Sequence, residues 1–405
     1  MNDHTFIAAR GALVVSPQTL MDDPHGQFAT LRGDHPVLQL GERQFMALRA
    51  SDVMVILSDP RTKPLEGRDY VRIQGVPEGA AARFLRDFFL FGSGAEHRAK
   101  RGMFARSFAH GAVRAAQPQI QAVARRIVAE LPRGESFDFI DRMAARVPAE
   151  MIAAILGLPQ SETSYFAPRV YAMSRAVSPV YPIDDHAEIE TAVSELFRYV
   201  VDHMRIRSEQ PRDDLLSRLV ADWKDDPVIT FSTLVHQVLG IIVGGTDTTR
   251  AAFAVLVSLL LQHPEQWTAL RDDPSLIPGA VSEGLRYDPS VGSIVRFTNA
   301  PVEISGVELP AGVMLRISNM SAMRDPELYA EPDRFDIRRN DHPRLHPVFG
   351  AGAHRCIGEM LARIEMQEGL AALVAGAPAM ELQTAPQLQG FGGLRQITPM
   401  QVIIR

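Results

Sequence analysis

The stretch Phe349-Gly350-Ala351-Gly352-Ala353-His354-Arg355-Cys356-Ile357-Gly358 contains the only cysteine in 405 residues. A lone cysteine closes no intramolecular disulfide and builds no multi-thiolate zinc site. Three roles remain for it: a small inert filler, a nucleophile, or a single thiolate ligand to something brought in from outside. Glycines lead into it, and a helix-forming run, Glu359-Met360-Leu361-Ala362-Arg363-Ile364-Glu365-Met366, follows. The sulfur is therefore expected at or just before a helix N-terminus, where free N–H groups and the positive dipole end favour thiolate over thiol.

Working outward, the chain is 46% hydrophobic and 22% charged, an ordinary globular composition. A net charge of -6 argues against general nucleic-acid binding. The start, Met1-Asn2-Asp3-His4-Thr5-Phe6, shows no basic region followed by an apolar run. No signal peptide or membrane anchor is expected from it, and with one cysteine the expected location is the cytoplasm. A mass of 44.7 kDa would suggest two or three domains. No Ser/Gly-rich linker, low-complexity tract or fixed-period repeat offers a cut, so one compact domain over residues 1–405 is expected.

Helix dominates the pattern, with a small β region. Val37 to Leu40 and Gln44 to Leu48 flank Gly41-Glu42 as a hairpin. Helical periodicity covers His97 to Phe108, Pro118 to Leu131 and Pro148 to Leu156, the last two opening on a proline that a first turn tolerates. Tyr165 to Arg175 and His186 to Ser208 follow as helices, and Gly279 to Tyr287 comes after a break at Pro274 and Pro278. Phe297 to Leu315 partly alternates and turns at Pro310-Ala311-Gly312, which predicts strands. Arg324 to Pro347, rich in Pro, Asp and Arg, reads as an ordered irregular loop.

The longest apolar element runs from about Phe231 to Gln262, a helix of roughly 48 Å. Ala251 to Leu261 is apolar on every face except Ser258, which implies full burial. Gly244-Gly245-Thr246-Asp247-Thr248-Thr249-Arg250 breaks the middle with polar groups and argues against a membrane span. Each glycine there costs about 1 kcal/mol relative to alanine. That loss makes sense if close packing, or a ligand against the notch, requires it.

The ten residues around Cys356 resemble the haem-binding loop of the cytochrome P450 family at each diagnostic position: Phe349, Gly350, Gly352, His354 two residues before the cysteine, and Gly358 two after. The resemblance implies that Cys356 is the axial thiolate ligand of haem b, iron protoporphyrin IX, and that the glycines let backbone lie against the porphyrin. Gly244 to Thr249 is similar to the family's oxygen-activation notch, with Asp247 and Thr248 as an acid–alcohol pair that relays protons. Glu283-Gly284-Leu285-Arg286 is similar to its buried Glu-x-x-Arg pair, and Arg334 would be the third partner, a structural role. Standing alone, that spacing would be only a surface ion pair. His97 and Arg101 resemble the helix that holds haem propionates, joined by Arg296 and His354. Ser93-Gly94-Ala95 departs from the family's usual approach to that helix.

The resemblance extends over about Glu96 to Gly358 and implies a mainly α fold with a small β region, a single large P450-like domain around the long buried helix. It implies a monooxygenase that inserts one atom of O2 into a small or medium hydrophobic substrate, by C–H hydroxylation or epoxidation. One cysteine excludes a built-in four-cysteine cluster, and no flavin domain is expected, so electrons would come from a separate [2Fe-2S] ferredoxin and an NAD(P)H-dependent reductase. Lys100, Arg101, Arg106, Arg344, Arg355 and Arg363 are candidates for docking it. Val243, Gly244, Val291, Ile294 and Phe391 are pocket candidates by position, although all but Gly244 fit a plain core equally well. No nucleic-acid or membrane partner is expected. Competing readings are a peroxide-dependent peroxygenase, a non-catalytic haem sensor, and a cysteine-nucleophile hydrolase, for which no orienting carboxylate is evident.

Overall fold

The computed structural model describes residues 9–105, 108–178, 180–225, 227, 229–343 and 346–405. Backbone packing divides the chain into two units, each gathered from discontinuous stretches. The first takes residues up to Leu65, Gly279–Cys356 and Gln387–Thr398; the second takes Glu66–Pro278, Ile357–Pro386 and Pro399–Arg405. The division follows packing and not chain order, so no linker composition marks it.

The first unit carries a six-stranded sheet. Its strands are β1 (Leu13–Val14), β2 (Val37–Gly41), β3 (Gln44–Ala47), β4 (Thr62–Lys63), β5 (Ser293–Thr298) and β6 (Met314–Ser318), in the order β1-β2-β3-β6-β5-β4. The expected hairpin is β2–β3, antiparallel with Val37 opposite Ala47. β3 runs parallel to β6 and β6 antiparallel to β5, which sets Phe45 and Arg296 each opposite Leu315. Alternation then puts Phe45, Leu315 and Ile317 into a core with Val53 and Ile56, and Ala351 of the cysteine loop packs on it. The expected turn carries Gly312 at φ 75°. A tighter one at Ser305-Gly306, with φ 45° and 78°, joins Val302–Ile304 to Val307–Leu309. Positive φ at both central residues matches the twist of a two-residue hairpin.

Most of the helix lies in the second unit. The central helix spans Phe231–Gln262, as expected, and Thr230 caps it by accepting the Thr233 N–H at 3.1 Å. It is the one described helix long and apolar enough to cross a membrane, but 78% of its apolar window is buried within the protein. Gly240 is required for packing, because a Cβ there would lie 2.1 Å from the Phe88 ring. One expectation fails: the helix read as opening at Pro118 begins at His110 and runs to Ala129, with the proline inside. The lost backbone bond is offset by tertiary packing. Val113, Ile120 and Ala124 are buried on either side, and Glu368 accepts hydrogen bonds from Gln117 and Gln121 at 2.7 and 3.1 Å.

Candidate active site

In the first unit the cysteine loop is closed on itself by its backbone. A short 3-10 turn, Pro347–Phe349, is reversed at Gly350 and again at Gly352, with φ 70° and 64°. Both values favour glycine. The Cys356 N–H then donates to the Phe349 carbonyl at 2.8 Å, and Arg355 Nη1 donates to the Gly350 carbonyl at 2.8 Å. The sulfur is left exposed. Helix Glu359–Gly376 begins three residues later with Gly358 at its cap, so the expected placement before a helix N-terminus holds. His354 ends a second 3-10 turn, Gly352–His354, and is half-buried. Ile294 reaches within 3.6 Å of where a Gly350 Cβ would stand.

Arg296, on β5, is 6% exposed, and its one hydrogen bond among the described residues runs from Nη1 to its neighbour's Val295 carbonyl at 3.0 Å. Desolvation pulls the guanidinium down to about 10. A buried cation without a carboxylate is costly, and the arrangement suits an anionic group supplied from outside, as haem propionates would be. In that one unit, an exposed thiol on a glycine-lined loop and a buried guanidinium with no carboxylate partner among the described residues together fit a haem donor set.

In the second unit His97 and Arg101 lie on helix Gly94–Ala105. His97 is buried and sits edge-on to Phe89, with ring centroids 6.1 Å apart. Desolvation, then Arg101 and Arg98 nearby, hold its imidazole below the ordinary value, and even a neutral imidazole has one N–H to donate to a carboxylate. Lys100 is not a docking residue. It is buried, pairs with Glu96 at 2.7 Å and donates to the Asp87 carbonyl at 2.9 Å. Arg106 and Arg344 lie outside the described residues.

The polar notch of the central helix keeps its helical backbone. Thr246 and Thr248 bond back to the Ile242 and Gly244 carbonyls at 2.9 and 3.0 Å, which pairs the fully buried Thr246 hydroxyl within its own helix. Gly244 follows ten buried residues, Leu234 to Val243, and is exposed, and nothing stands within 4 Å of its absent Cβ. Asp247 is 2% exposed. Its Oδ2 accepts from Ser174 Oγ at 2.7 Å, and its Oδ1 pairs with Arg250 one turn on. The Arg250 guanidinium in turn lies 4.3 Å over the Tyr171 ring. Neither Ser174 nor Arg250 was singled out from the sequence. Arg250 had a signal, its i, i+3 spacing from Asp247; Ser174 had none.

Glu283 and Arg286 lie on helix Ile277–Tyr287 and are both fully buried. Arg286 donates twice to the carboxylate, at 2.7 and 2.8 Å, and also to the Met323, Pro332 and Arg334 carbonyls. The third partner of the Glu283–Arg286 pair is Arg339, at 3.1 Å from Glu283, and not Arg334. The Arg334 side chain is 62% exposed and faces Glu331 and Asp336. Only its carbonyl joins the knot. The reason is reach: the Asp336 N–H also donates to Glu283, at 2.8 Å, and this turn carries Arg339 inward and Arg334 outward.

Of the pocket candidates, Val243 and Gly244 adjoin the notch in sequence. Ile294 abuts the cysteine loop, and half-buried Val291 pairs with Leu394. Phe391 is core: it packs with Leu20, Leu38 and Met46, edge-on to Phe28 at 6.4 Å.

Comparison with known proteins shows the family of the chain. Residues 275–375 match the family model described as Cytochrome P450. The chain is 36% identical to the plant-inducible cytochrome P450-pinF1 of Rhizobium radiobacter, over 95% of this chain and 90% of that protein. It is 31% identical to the cytochrome P450 monooxygenase PikC of Streptomyces venezuelae, over 91% of this chain and 87% of the relative. Among solved structures, CalO2 superposes with a TM-score of 0.89 at 27% identity, covering 97% of this chain and 99% of that one.

Proposed function

The chain belongs to the cytochrome P450 family and is a monooxygenase of that family, and we propose that residues 1–405 act as one domain that oxygenates a small or medium hydrophobic substrate by hydroxylation or epoxidation. Haem b, bound through Cys356, would supply the two-electron activation of O2. The observation that carries the reading is the pair in the first unit: an exposed thiol on a doubly glycine-reversed loop, and a buried Arg296 with no carboxylate partner among the described residues. Arg296, His354, His97 and Arg101 would hold the propionates, and Phe349, Gly350 and Gly358 would shape the loop beside the sulfur.

In the second unit, Asp247 and Thr248 would manage protons. Asp247 exchanges a proton at Oδ2, and Thr248 presents a hydroxyl one residue along the same turn. Val243, Gly244, Val291 and Ile294 are the candidates for apolar contact with substrate. The electrons would come from a separate [2Fe-2S] ferredoxin and an NAD(P)H reductase, because one cysteine cannot hold a four-cysteine cluster. A cytoplasmic enzyme fits that supply. The Asp247–Thr248 pair also favours this reading over a peroxygenase, which brings its own protons with peroxide. The test is turnover of a spin-shifting substrate with NADPH, ferredoxin and reductase, compared with peroxide alone. Product only with peroxide would overturn the reading.

A further inference from the structure

We propose that Ser174 is a positioning residue whose hydroxyl serves both protonation states of Asp247, so that the buried acid can cycle a proton without stranding a polar atom. The inference rests on the proton-relay reading of Asp247 and deepens it. Ser174 ends helix Thr163–Ser174 and is 2% exposed. Its Oγ lies between two oxygens: Asp247 Oδ2 at 2.7 Å and the Tyr171 carbonyl, one turn back on its own helix, at 2.9 Å. The hydroxyl carries one proton and two lone pairs. While Asp247 is ionised, the Ser174 O–H donates to Oδ2. Once Oδ2 carries a proton, that O–H donates to Oγ, and the serine proton turns to the Tyr171 carbonyl. Each state keeps every group paired.

The other partner of Asp247 cannot do this. Arg250 donates only and does not lose its proton, so it always favours the anion. Its guanidinium is fixed over Tyr171, whose hydroxyl donates to the Ala145 carbonyl at 3.0 Å. With Arg250 alone, a protonated Asp247 would bury an unpaired O–H in a site 2% exposed, which a relay acid must avoid on every cycle. Ser174 removes that obstacle. No atom is consumed: one proton enters at Asp247 and the same number leaves, while the hydroxyl only rotates.

The test compares Ser174→Ala, Ser174→Cys and Ser174→Thr with Asp247→Asn in the haem-loaded enzyme, reading the fraction of NADPH electrons lost to peroxide and the solvent deuterium isotope effect. Ser174→Ala and Ser174→Cys are expected to raise peroxide loss about tenfold, the scale of one hydrogen bond to a charged group, and to enlarge the isotope effect. The hydroxyl-retaining Ser174→Thr is expected to restore both. A second readout needs no turnover. In acid-induced infrared difference spectra, the protonated carboxyl band that Asp247→Asn removes is expected to shift in Ser174→Ala. If the Thr variant does not fold, the infrared shift and the Ala and Cys results decide. An unshifted band, or wild-type partition and isotope effect in Ser174→Ala, would overturn the proposal. If Asp247→Asn is itself without effect, the relay reading falls instead.

Discussion

Among the helices that carry an acid followed three residues later by an arginine, two bury the acid, and the structure puts these two to opposite uses. Glu283–Arg286 is sealed: both side chains are 0% exposed, and every partner of the carboxylate within 3.2 Å is an N–H donor, from Arg286, Arg339 and the Asp336 backbone. Such a shell holds the anion and has nowhere to accept a proton. Asp247–Arg250 has one donor-only cation and one hydroxyl, and its arginine is 17% exposed. The acid–arginine spacing alone therefore does not say whether a buried acid is a joint or a relay. The chemistry of the remaining partners does: nitrogen donors freeze a carboxylate, and a hydroxyl lets it change state.

The contrast can be broken at the joint first. Glu283→Gln leaves the fully buried Arg286 without a carboxylate and is expected to cost about 3–5 kcal/mol, seen as a large drop in the chemical-denaturation midpoint or as failure to fold. Arg339→Ala is expected to approach that loss. On the relay side, Asp247→Asn leaves the fold in place and is expected to lower coupled turnover about 100-fold, the low end for general acid–base catalysis, with a normal haem-thiolate spectrum. An Asp247→Asn protein that unfolds while Glu283→Gln stays stable would reverse the two assignments.

A third acid sharpens the rule. Asp288 pairs with Arg395 and accepts from His25 at 3.0 Å. Burial opposes its ionisation, but the His25 hydrogen bond and Arg395 outweigh burial and bring the carboxyl from 3.8 down to about 2. A depressed carboxyl contributes stability that is fully present above the ordinary value and is lost as pH falls through the folded one. Acid titration of stability should therefore show a loss of about 2 kcal/mol between pH ~4 and ~2 that Asp288→Asn removes. The smallest effect is expected at Arg334→Ala, within about 0.5 kcal/mol, because that side chain is outside the knot.

What the sequence disclosed follows the range of the interactions. The cysteine loop was legible because its requirements are local: glycines at two positive-φ turns, a thiol, and a helix start within three residues. The central helix was legible to the residue because its apolar run and cap are continuous. Arg339 was not, since Arg334 and Arg339 are equivalent in sequence and only the turn at Asp336 decides which points inward. Ser174 stands 73 residues before Asp247, beyond any spacing rule. Pro118 misled because packing against Glu368 overrode a local preference. Phe391 misled because apolar character alone does not separate a pocket wall from core.

The central claim, that Cys356 is a thiolate ligand to haem iron, meets its most direct test in the carbon monoxide difference spectrum of the reduced, haem-loaded protein beside Cys356→Ala. The account expects a strongly red-shifted Soret band in the native protein and its loss in the variant. A folded, haem-loaded native protein without that band, or a variant that keeps it, would contradict the account.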